Sequence, residues 1–329
     1  MRLILNQSAF SNRPTANAFL RYHWLNQDLP FHGTSSTIDL YADDTTLTSC
    51  ANYSSIDKLE QNLNSSVSEI AKWADSNKLP INESKTKAIL ITGKRLPSKI
   101  NYEMALTING TKLEVVPSVK LLDLEIDFEL SFNSHVEKLC TKLSQRIGIL
   151  KKIRSCLSMR QRLLFYNFMI RSVLHYVSSI WTSCDKENLG RVLKLQKRAA
   201  RVISDANNQA SSVKLFNRLQ WLPFYEESKI AKCFIAYKCI KGEVPLYTEG
   251  SLILNSQQHN RATRYSNINY ICPRFSRMNE GSRSFAVTTC QLWNSLNLKL
   301  RNSISLESFR NNFRKNLLAI QRKLHHFIV

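Results

Sequence analysis

The stretch STIDLYADDTTLTSC, residues 36–50, places two adjacent carboxylates, Asp43 and Asp44, between two short runs with β-strand character. Apolar and polar residues alternate from residue 38 to residue 43, and residues 45–48 are rich in β-forming threonine. The two runs therefore predict a hairpin with both aspartates at its turn. Strand alternation places Tyr41 on the same face as Asp43.

The aspartate pair has two interpretations. Asp is common in turns because its side chain hydrogen-bonds to the local backbone, so turn chemistry alone explains the pair. A hairpin tip with two carboxylates is also suited to Mg²⁺, which takes one or two protein carboxylates together with phosphates and water. Two-metal nucleotidyl transfer would need a further carboxylate from elsewhere in the chain.

Charge is distributed unevenly along the 329 residues, which carry a net charge of +21. Residues 1–130 hold 13 Lys and Arg against 15 Asp and Glu, whereas residues 131–329 hold 33 against 10. Such asymmetry indicates a polyanionic partner for the second part. Nucleic acid is the first candidate and an anionic membrane surface is the second.

The cysteine spacing and the apolar runs indicate the cellular compartment of the protein. The eight cysteines include no C-x-x-C pair, so we expect free thiols in a reducing compartment, nuclear or cytoplasmic, and no secretion. The longest apolar stretch, residues 163–181, is interrupted by Asn167, Arg171 and His175. It predicts a buried core helix in a soluble protein with no membrane partner.

Hydrophobic periodicity changes near residue 130, where predicted strands give way to helices. The first part predicts a helix at 55–78, strands at 87–92 and 118–127, and a hairpin within 105–116 centred on Asn109-Gly110. The second part predicts an apolar helix stripe over 136–157 and helices at 159–181, 188–204, 211–219, 224–241, 283–298 and 305–324. Ser158 and Gln161 form a capping box before the second of these. Residues 1–30 are weakly patterned and 242–280 are loop-rich.

Several segments follow one another in a specific order. YADD is followed by an amphipathic helix ending in WADSNKLPINESKTKAILI, then a hairpin, VKLLDLEID and HVEKLCTKLSQRIGILKKIR. This series resembles the C-terminal half of a reverse transcriptase of non-LTR retrotransposons, most closely the jockey-like group, from about residue 26 to near 318. The resemblance implies an α+β fold, with a partial polymerase palm of antiparallel strands at 1–130 and a mostly helical, basic thumb and C-terminal domain at 131–329.

The resemblance also implies roles for single residues. Asp43 and Asp44 match the palm carboxylates, of which the first is a metal ligand and the second assists. Tyr41 matches the aromatic residue beside the incoming nucleotide and primer end, and Lys85 matches a lysine near the triphosphate. The implied partners are Mg²⁺, an RNA template, a DNA primer and dNTPs. For Lys85, a solvated loop lysine is an equal alternative.

The chain departs from the family pattern in two places. Leu122-Asp123 stands where the family usually has Leu-Gly in its primer-gripping hairpin, so a permissive backbone position is lost. Residues 1–35 contain neither a Pro-Gln-Gly segment nor a third metal-binding Asp, because Asp28 belongs to a DLP turn; Asp39 lies on the hairpin strand itself. We therefore expect a truncated copy that is inactive by itself, whereas its full-length parent is an RNA-directed DNA polymerase.

The predicted helix at 188–204 carries a cationic stripe opposite its apolar side, formed by Arg191, Lys194, Lys197, Arg198 and Arg201. The stripe is either a solvated helix face or a phosphate-binding surface, and the charge of this region favours the second interpretation. Cations of the preceding helix are expected to extend it, namely Lys142, Arg146, Lys151, Lys152 and Arg154. For Trp221, Phe224 and Tyr225, the helical context favours core packing over base stacking. The alternative function is a non-catalytic nucleic-acid-binding helical protein derived from such an element.

Overall fold

The structure is a computed structural model, and it describes residues 2–8, 36–41, 44–79, 81–92, 104–244, 252–254, 269–273 and 279–326. The chain divides into two compact units, Met1–Phe132 and Asn133–Val329. Helices and strands are both present, which is compatible with the predicted α+β class.

The first unit contains most of the strands. They are β1 Arg2–Ser8, β2 Thr37–Tyr41, β3 Asp44–Cys50, β4 Lys87–Ile91, β5 Thr107–Ile108, β6 Thr111–Lys112, β7 Glu114–Val115, β8 Ser118–Leu121 and β9 Leu124–Asp127. Helix α1 spans Ile56–Ser76, and 3₁₀ turns occur at Tyr53–Ser55 and Glu83–Lys85.

Five of these strands form one sheet in the order β2-β3-β1-β4-β7. β1 lies between β3 and β4 and is antiparallel to both, whereas β7 pairs with β4 in parallel. β1 was not predicted, because its partners are distant in sequence and no local turn signal marks it. Its insertion makes β3 an interior strand of the sheet.

Helix α1 covers this sheet through an apolar stripe. Its buried residues Leu59, Leu63 and Val67 recur at four-residue steps and pack with Leu47 of β3 and Ala88 of β4. Each fully buried leucine contributes about 2 kcal/mol through removal of apolar surface from water. The amphipathic pattern in the sequence therefore predicted both the helix and the face that it buries.

Two tight turns in the first unit have the same backbone form. Asn109 and Gly110 connect β5 to β6 with φ angles of 47° and 80°, which confirms the predicted hairpin. Residues 118–127 form a hairpin, as the family resemblance implied, rather than the single strand that periodicity predicted, because Leu122 and Asp123 adopt φ angles of 46° and 63° between β8 and β9. This second turn lacks the Asn-Gly signature, so local turn chemistry alone did not mark it.

The second unit is built from helices. They are α2 Asn133–Ile153, α3 Met159–Phe165, a π-helix at Tyr166–Arg171, α4 Ser172–His175, α5 Ser178–Trp181, α6 Lys186–Ile203, α7 Ser212–Leu219, α8 Phe224–Ile240, α9 Asn279–Arg283, α10 Phe285–Ser295, α11 Leu298–Arg301 and α12 Leu306–His326. An antiparallel bridge joins Leu254 to Tyr270. Most of the loop-rich segment 242–280 lies outside the described residues.

The prediction of one continuous helix over residues 159–181 is wrong, because the segment is divided into several helices. The capping box of Ser158 and Gln161 is present and starts α3, but the chain then enters the π-helix and breaks at Val177, whose φ is 49°. In this irregular segment, side chains donate hydrogen bonds to backbone carbonyls. Arg146 donates to the Met169 carbonyl, and Trp181 Nε1 donates to the Tyr176 carbonyl at 3.1 Å. Insertion of a side-chain donor into the backbone ladder is a recognised cause of helix irregularity.

Aromatic residues dominate the core of the second unit. Trp293 and Phe309 are fully buried with ring centroids 5.6 Å apart, and Tyr237 stacks on Phe309 at 5.2 Å. None of the eight cysteines is in a disulfide. In the described part of the chain, every helix falls short of the length and apolarity that crossing a bilayer requires.

Candidate functional site

The hairpin of β2 and β3 carries the predicted aspartate turn. Tyr41, the last residue of β2, pairs with Asp44, the first residue of β3, so residues 42–43 form the connection. Asp43 lies in this connection, outside the residues that the structure describes. Tyr41 is 66% exposed and Asp44 is half-buried. The predicted hairpin is present, and Asp44 opens its second strand rather than lying within the turn.

Several strands begin or end at the same end of the sheet as this hairpin. Asp44 is also the partner of Ser8, the last residue of β1, so Tyr41, Asp44 and Ser8 form one row across three strands. β4 begins at Lys87, and the exposed Lys85 precedes it by two residues in a 3₁₀ turn. The sheet therefore brings Lys85 to the same end as Tyr41 and Asp44, although it lies about 40 residues further along the chain.

The described residues do not by themselves fit a two-metal centre. Among them, no group of three or more His, Cys, Asp and Glu side chains is placed to hold a metal ion. The row contributes one carboxylate, since Asp44 lies between a tyrosine and a serine position. Asp39 is exposed and pairs with Thr46, two positions away from the row. The assignment of Mg²⁺ to Asp43 and Asp44 stays a prediction.

Helix α6 presents its predicted cations unequally. Arg191, Lys194 and Arg198 are exposed, whereas Lys197 and Arg201 are half-buried. Arg201 donates Nε to the Ala210 carbonyl at 3.3 Å, and Arg191 donates to the Asn188 side-chain oxygen at 3.2 Å. Within the described residues, no carboxylate forms an ion pair with any of the five cations. Three of them thus present uncompensated positive charge to solvent.

The core-facing side of α6 contains a buried polar residue that sequence reasoning missed. Gln196 donates Nε2 to the Leu222 carbonyl at 3.0 Å and accepts from the Phe224 N–H at 2.9 Å. These bonds hold the start of α8 against α6. In the sequence, the glutamine interrupts the apolar side of the helix, and that interruption could have indicated a buried polar contact.

Helix α2 packs against α6 and divides the further predicted cations into two groups. The exposed group consists of Lys142, Lys151 and Lys152. Arg146 donates to a carbonyl of the π-helix, and Arg154 pairs with Asp205 at 3.1 Å. The two arginines therefore have structural partners within their own unit.

The aromatic residues near α8 pack in the core, as their helical context predicted. Phe224 is fully buried and stacks on Trp181 with ring centroids 5.5 Å apart. Trp221 stacks on Tyr166 at 4.0 Å. Both rings are engaged by neighbouring side chains, so they do not form an exposed platform for bases.

A partly buried ion cluster at the π-helix is a second feature that the sequence interpretation missed. Glu227 of α8 accepts from Arg171 at 3.1 Å and also from Arg314 of α12, and its side chain is 13% exposed. Burial alone would raise the pKa of Glu227, but Arg314 and Arg171 hold it below its ordinary value. His175 lies nearby, and its burial lowers its pKa to about 4. Arg171 and His175 were read only as interruptions of an apolar run, yet their four-residue spacing marks one helix face.

Comparison with known proteins gives one informative similarity. The chain is 27% identical over 171 residues to a Drosophila melanogaster protein described as "Probable RNA-directed DNA polymerase from transposon BS". The matched segment covers 50% of this chain and 18% of that protein. No family model matches the chain. No solved structure matches it either. The similarity supports an origin related to reverse transcriptases.

Proposed function

We propose that this chain derives from the reverse transcriptase of a non-LTR, jockey-like retrotransposon and that its first unit corresponds to the palm of that polymerase. In this proposal Asp43 is a metal ligand assisted by Asp44, Tyr41 lies beside the incoming nucleotide and primer end, and Lys85 lies near the triphosphate. The observation that supports it best is the gathering of Tyr41, Asp44 and Lys85 at one end of the sheet. The natural ligands would be Mg²⁺, dNTPs, an RNA template and a DNA primer.

We propose further that the chain has no polymerase activity by itself. Two-metal phosphoryl transfer requires carboxylates that hold both ions. The described residues supply no such cluster, and among the undescribed residues up to the β2–β3 turn the acidic side chains are Asp28 and Asp43 itself. No catalytic step is therefore assigned to the residues of this chain.

Primer extension on an RNA template tests the absence of activity. With the purified chain, dNTPs and either Mg²⁺ or Mn²⁺, we expect no product above the protein-free reaction. Extension that disappears in both Asp43→Asn and Asp44→Asn would overturn the proposed inactivity. It would also place catalysis at the β2–β3 turn.

The second candidate function is nucleic-acid binding without chemistry, through the exposed side of α6. Arg191, Lys194 and Arg198 support it, because they are exposed and form no ion pair within the described residues. Three such cations would displace counterions from a phosphate backbone. The affinity would then fall steeply as salt is added.

Salt dependence with matched charge variants tests this function. The α6 triple variant carries Arg191→Gln, Lys194→Gln and Arg198→Gln. The matched triple variant carries Lys299→Gln, Lys315→Gln and Lys323→Gln, which are exposed cations of α11 and α12. We expect the α6 triple variant to lower the slope of log K against log salt for single-stranded RNA by about 2, since each phosphate contact contributes about 0.7. Equal slopes in the two triple variants would exclude α6 as the binding surface.

A further inference from the structure

The irregular segment of the second unit lines a cavity that the proposals above do not use. The cavity has a volume of about 510 Å³ and lies between the π-helix, α4, α5, α8 and α12. The ion cluster of Arg171, Glu227 and Arg314 forms part of its wall. Asn167 and Arg171 of the π-helix line the cavity, in a segment where a regular helix was predicted.

The cavity wall carries a net positive charge. Two guanidinium groups, those of Arg171 and Arg314, share the single carboxylate of Glu227. Arg310 also lines the cavity, and it forms no ion pair with any described carboxylate. A partly enclosed excess of guanidinium charge favours an anionic ligand, and the planar fork of arginine matches phosphate or carboxylate.

His175 adds a neutral hydrogen-bonding group to the same wall. It lines the cavity and makes no hydrogen bond with the described residues. Its lowered pKa of about 4, caused first by burial, leaves the imidazole uncharged near neutral pH. An uncharged imidazole has one N–H that can donate to an anion and one nitrogen that can accept.

Part of the cavity lining is apolar. Ile230, Phe234 and Ile235 of α8 line it, and Asn167 and Ser172 add an amide and a hydroxyl at the π-helix side. An apolar wall beside polar groups suits a flat ring that carries hydrogen-bonding edges. A saturated acyl chain would leave the Asn167 amide without a ligand partner, whereas the Ser172 hydroxyl already donates to the Phe168 carbonyl.

We propose that this cavity binds a nucleoside monophosphate, with its phosphate at Arg310 and His175 and its base against Ile230 and Phe234. The cavity is large enough for one nucleotide and is formed by residues other than those of α6 or the β2–β3 turn. The same chemistry has two sources, a free nucleotide or the terminal nucleotide of a 5′-phosphorylated strand. The site is independent of the proposed polymerase origin.

Binding of AMP to the full chain, measured by calorimetry, tests the site. We expect AMP to bind at least about 10-fold more tightly than adenosine, since the phosphate makes charge-assisted hydrogen bonds. Arg310→Gln should remove most of that difference, whereas Lys315→Gln, an exposed residue of the same helix that does not line the cavity, should not. Ala231→Phe, which fills the cavity from α8, should abolish AMP binding without changing the net charge.

Further ligands distinguish a free nucleotide from a strand end and test whether the cavity prefers another class of ligand. A single-stranded oligonucleotide that binds the α6 triple variant better with a 5′-phosphate than with a 5′-hydroxyl would identify a strand end as the source. Equal binding of the two oligonucleotides, with AMP still bound, would identify a free nucleotide. Decanoate binding as tightly as AMP, equal affinities for AMP and adenosine, or no AMP binding would each overturn the proposal. Circular dichroism of Arg310→Gln and Ala231→Phe checks that both variants are folded.

Discussion

Two residues with nearly the same backbone angle occupy equivalent turns with different side chains. Asn109 has a φ of 47° in the β5–β6 turn, and Leu122 has a φ of 46° in the β8–β9 turn. Asn tolerates the left-handed region because its short polar side chain bonds locally, whereas other L-residues pay about 1–2 kcal/mol there. The Leu122-Asp123 turn therefore carries local strain that the Asn109-Gly110 turn avoids.

Exchange of these side chains tests the strain. Leu122→Asn should raise the free energy of unfolding by about 1 kcal/mol, and Asn109→Leu should lower it by a similar amount. Urea unfolding of the full chain measures both variants. A destabilising Leu122→Asn would contradict the prediction and would mean that contacts of the leucine, which is 38% exposed, outweigh the backbone strain.

His175 couples the stability of the second unit to pH. Glu227 opposes the depression of the His175 pKa, while Arg171 and Arg314 add to the effect of burial. Because the folded pKa of about 4 lies below the ordinary value of 6.5, the unfolded chain binds the proton first. The stability that the uncharged His175 contributes to the folded state is therefore fully present above pH 6.5 and is lost as the pH falls toward 4. The lowered pKa of Glu227 acts in the same direction at still lower pH.

Removal of the imidazole tests this coupling. His175→Gln should flatten the fall in stability between pH 6.5 and pH 4, a fall of at most about 3 kcal/mol in the wild type. His135→Gln removes a histidine outside the ion cluster and is the matched control. Denaturation midpoints across this pH range measure the effect, and identical pH profiles for His175→Gln and wild type would refute it.

At the scale of elements, local patterns predicted what local physics controls. The stripe of α1, the Asn109-Gly110 turn and the capping box at Ser158 depend on residues a few positions apart. β1 escaped prediction because the bonds that define it join it to β3 and β4, far along the chain. The π-helix escaped because side chains such as Arg146, from another helix, support its irregular backbone. The same holds for the functional features. The β2–β3 hairpin was predicted because its signals are local, whereas the ion cluster was not, because its members come from distant helices.

The register of the five-stranded sheet also provides a test of the predicted metal site at Asp43 and Asp44. Ser8 is the partner of Asp44 in the row at the end of the sheet, and directly opposed residues approach within about 5 Å between Cβ atoms. If Asp43 and Asp44 hold a metal ion as proposed, Ser8→Asp should raise Mn²⁺ affinity at least several-fold, measured by calorimetry. Asn6→Asp adds the same charge to β1 at the partner of Thr46, two positions away, and should have a smaller effect. The gain should vanish when Asp44→Asn is added, and a gain that persists would place the metal elsewhere.

For the whole molecule, the relevant quantity is the total charge of the second unit. Residues 131–329 carry 33 Lys and Arg against 10 Asp and Glu, so repulsion among like charges opposes the compact state. Salt screens repulsion between exposed charges, because the Debye length falls to about 10 Å at 0.1 M, and screens half-buried pairs such as Arg171 with Glu227 much less. Added salt should therefore stabilise the protein while it weakens any binding to nucleic acid.

Thermal denaturation of the same charge variants separates this global effect from local recognition. Raising NaCl from about 0.05 M to about 0.3 M should increase the wild-type melting temperature by about 2–4 °C, the shift that about 1 kcal/mol produces in a domain of this size. The α6 triple variant and the matched triple variant each lose three positive charges, so both should melt higher than wild type at low salt and respond less to added salt. They should differ only in RNA binding, where position matters. A melting temperature that falls with salt would contradict the prediction, since ion pairs would then outweigh repulsion in the folded chain.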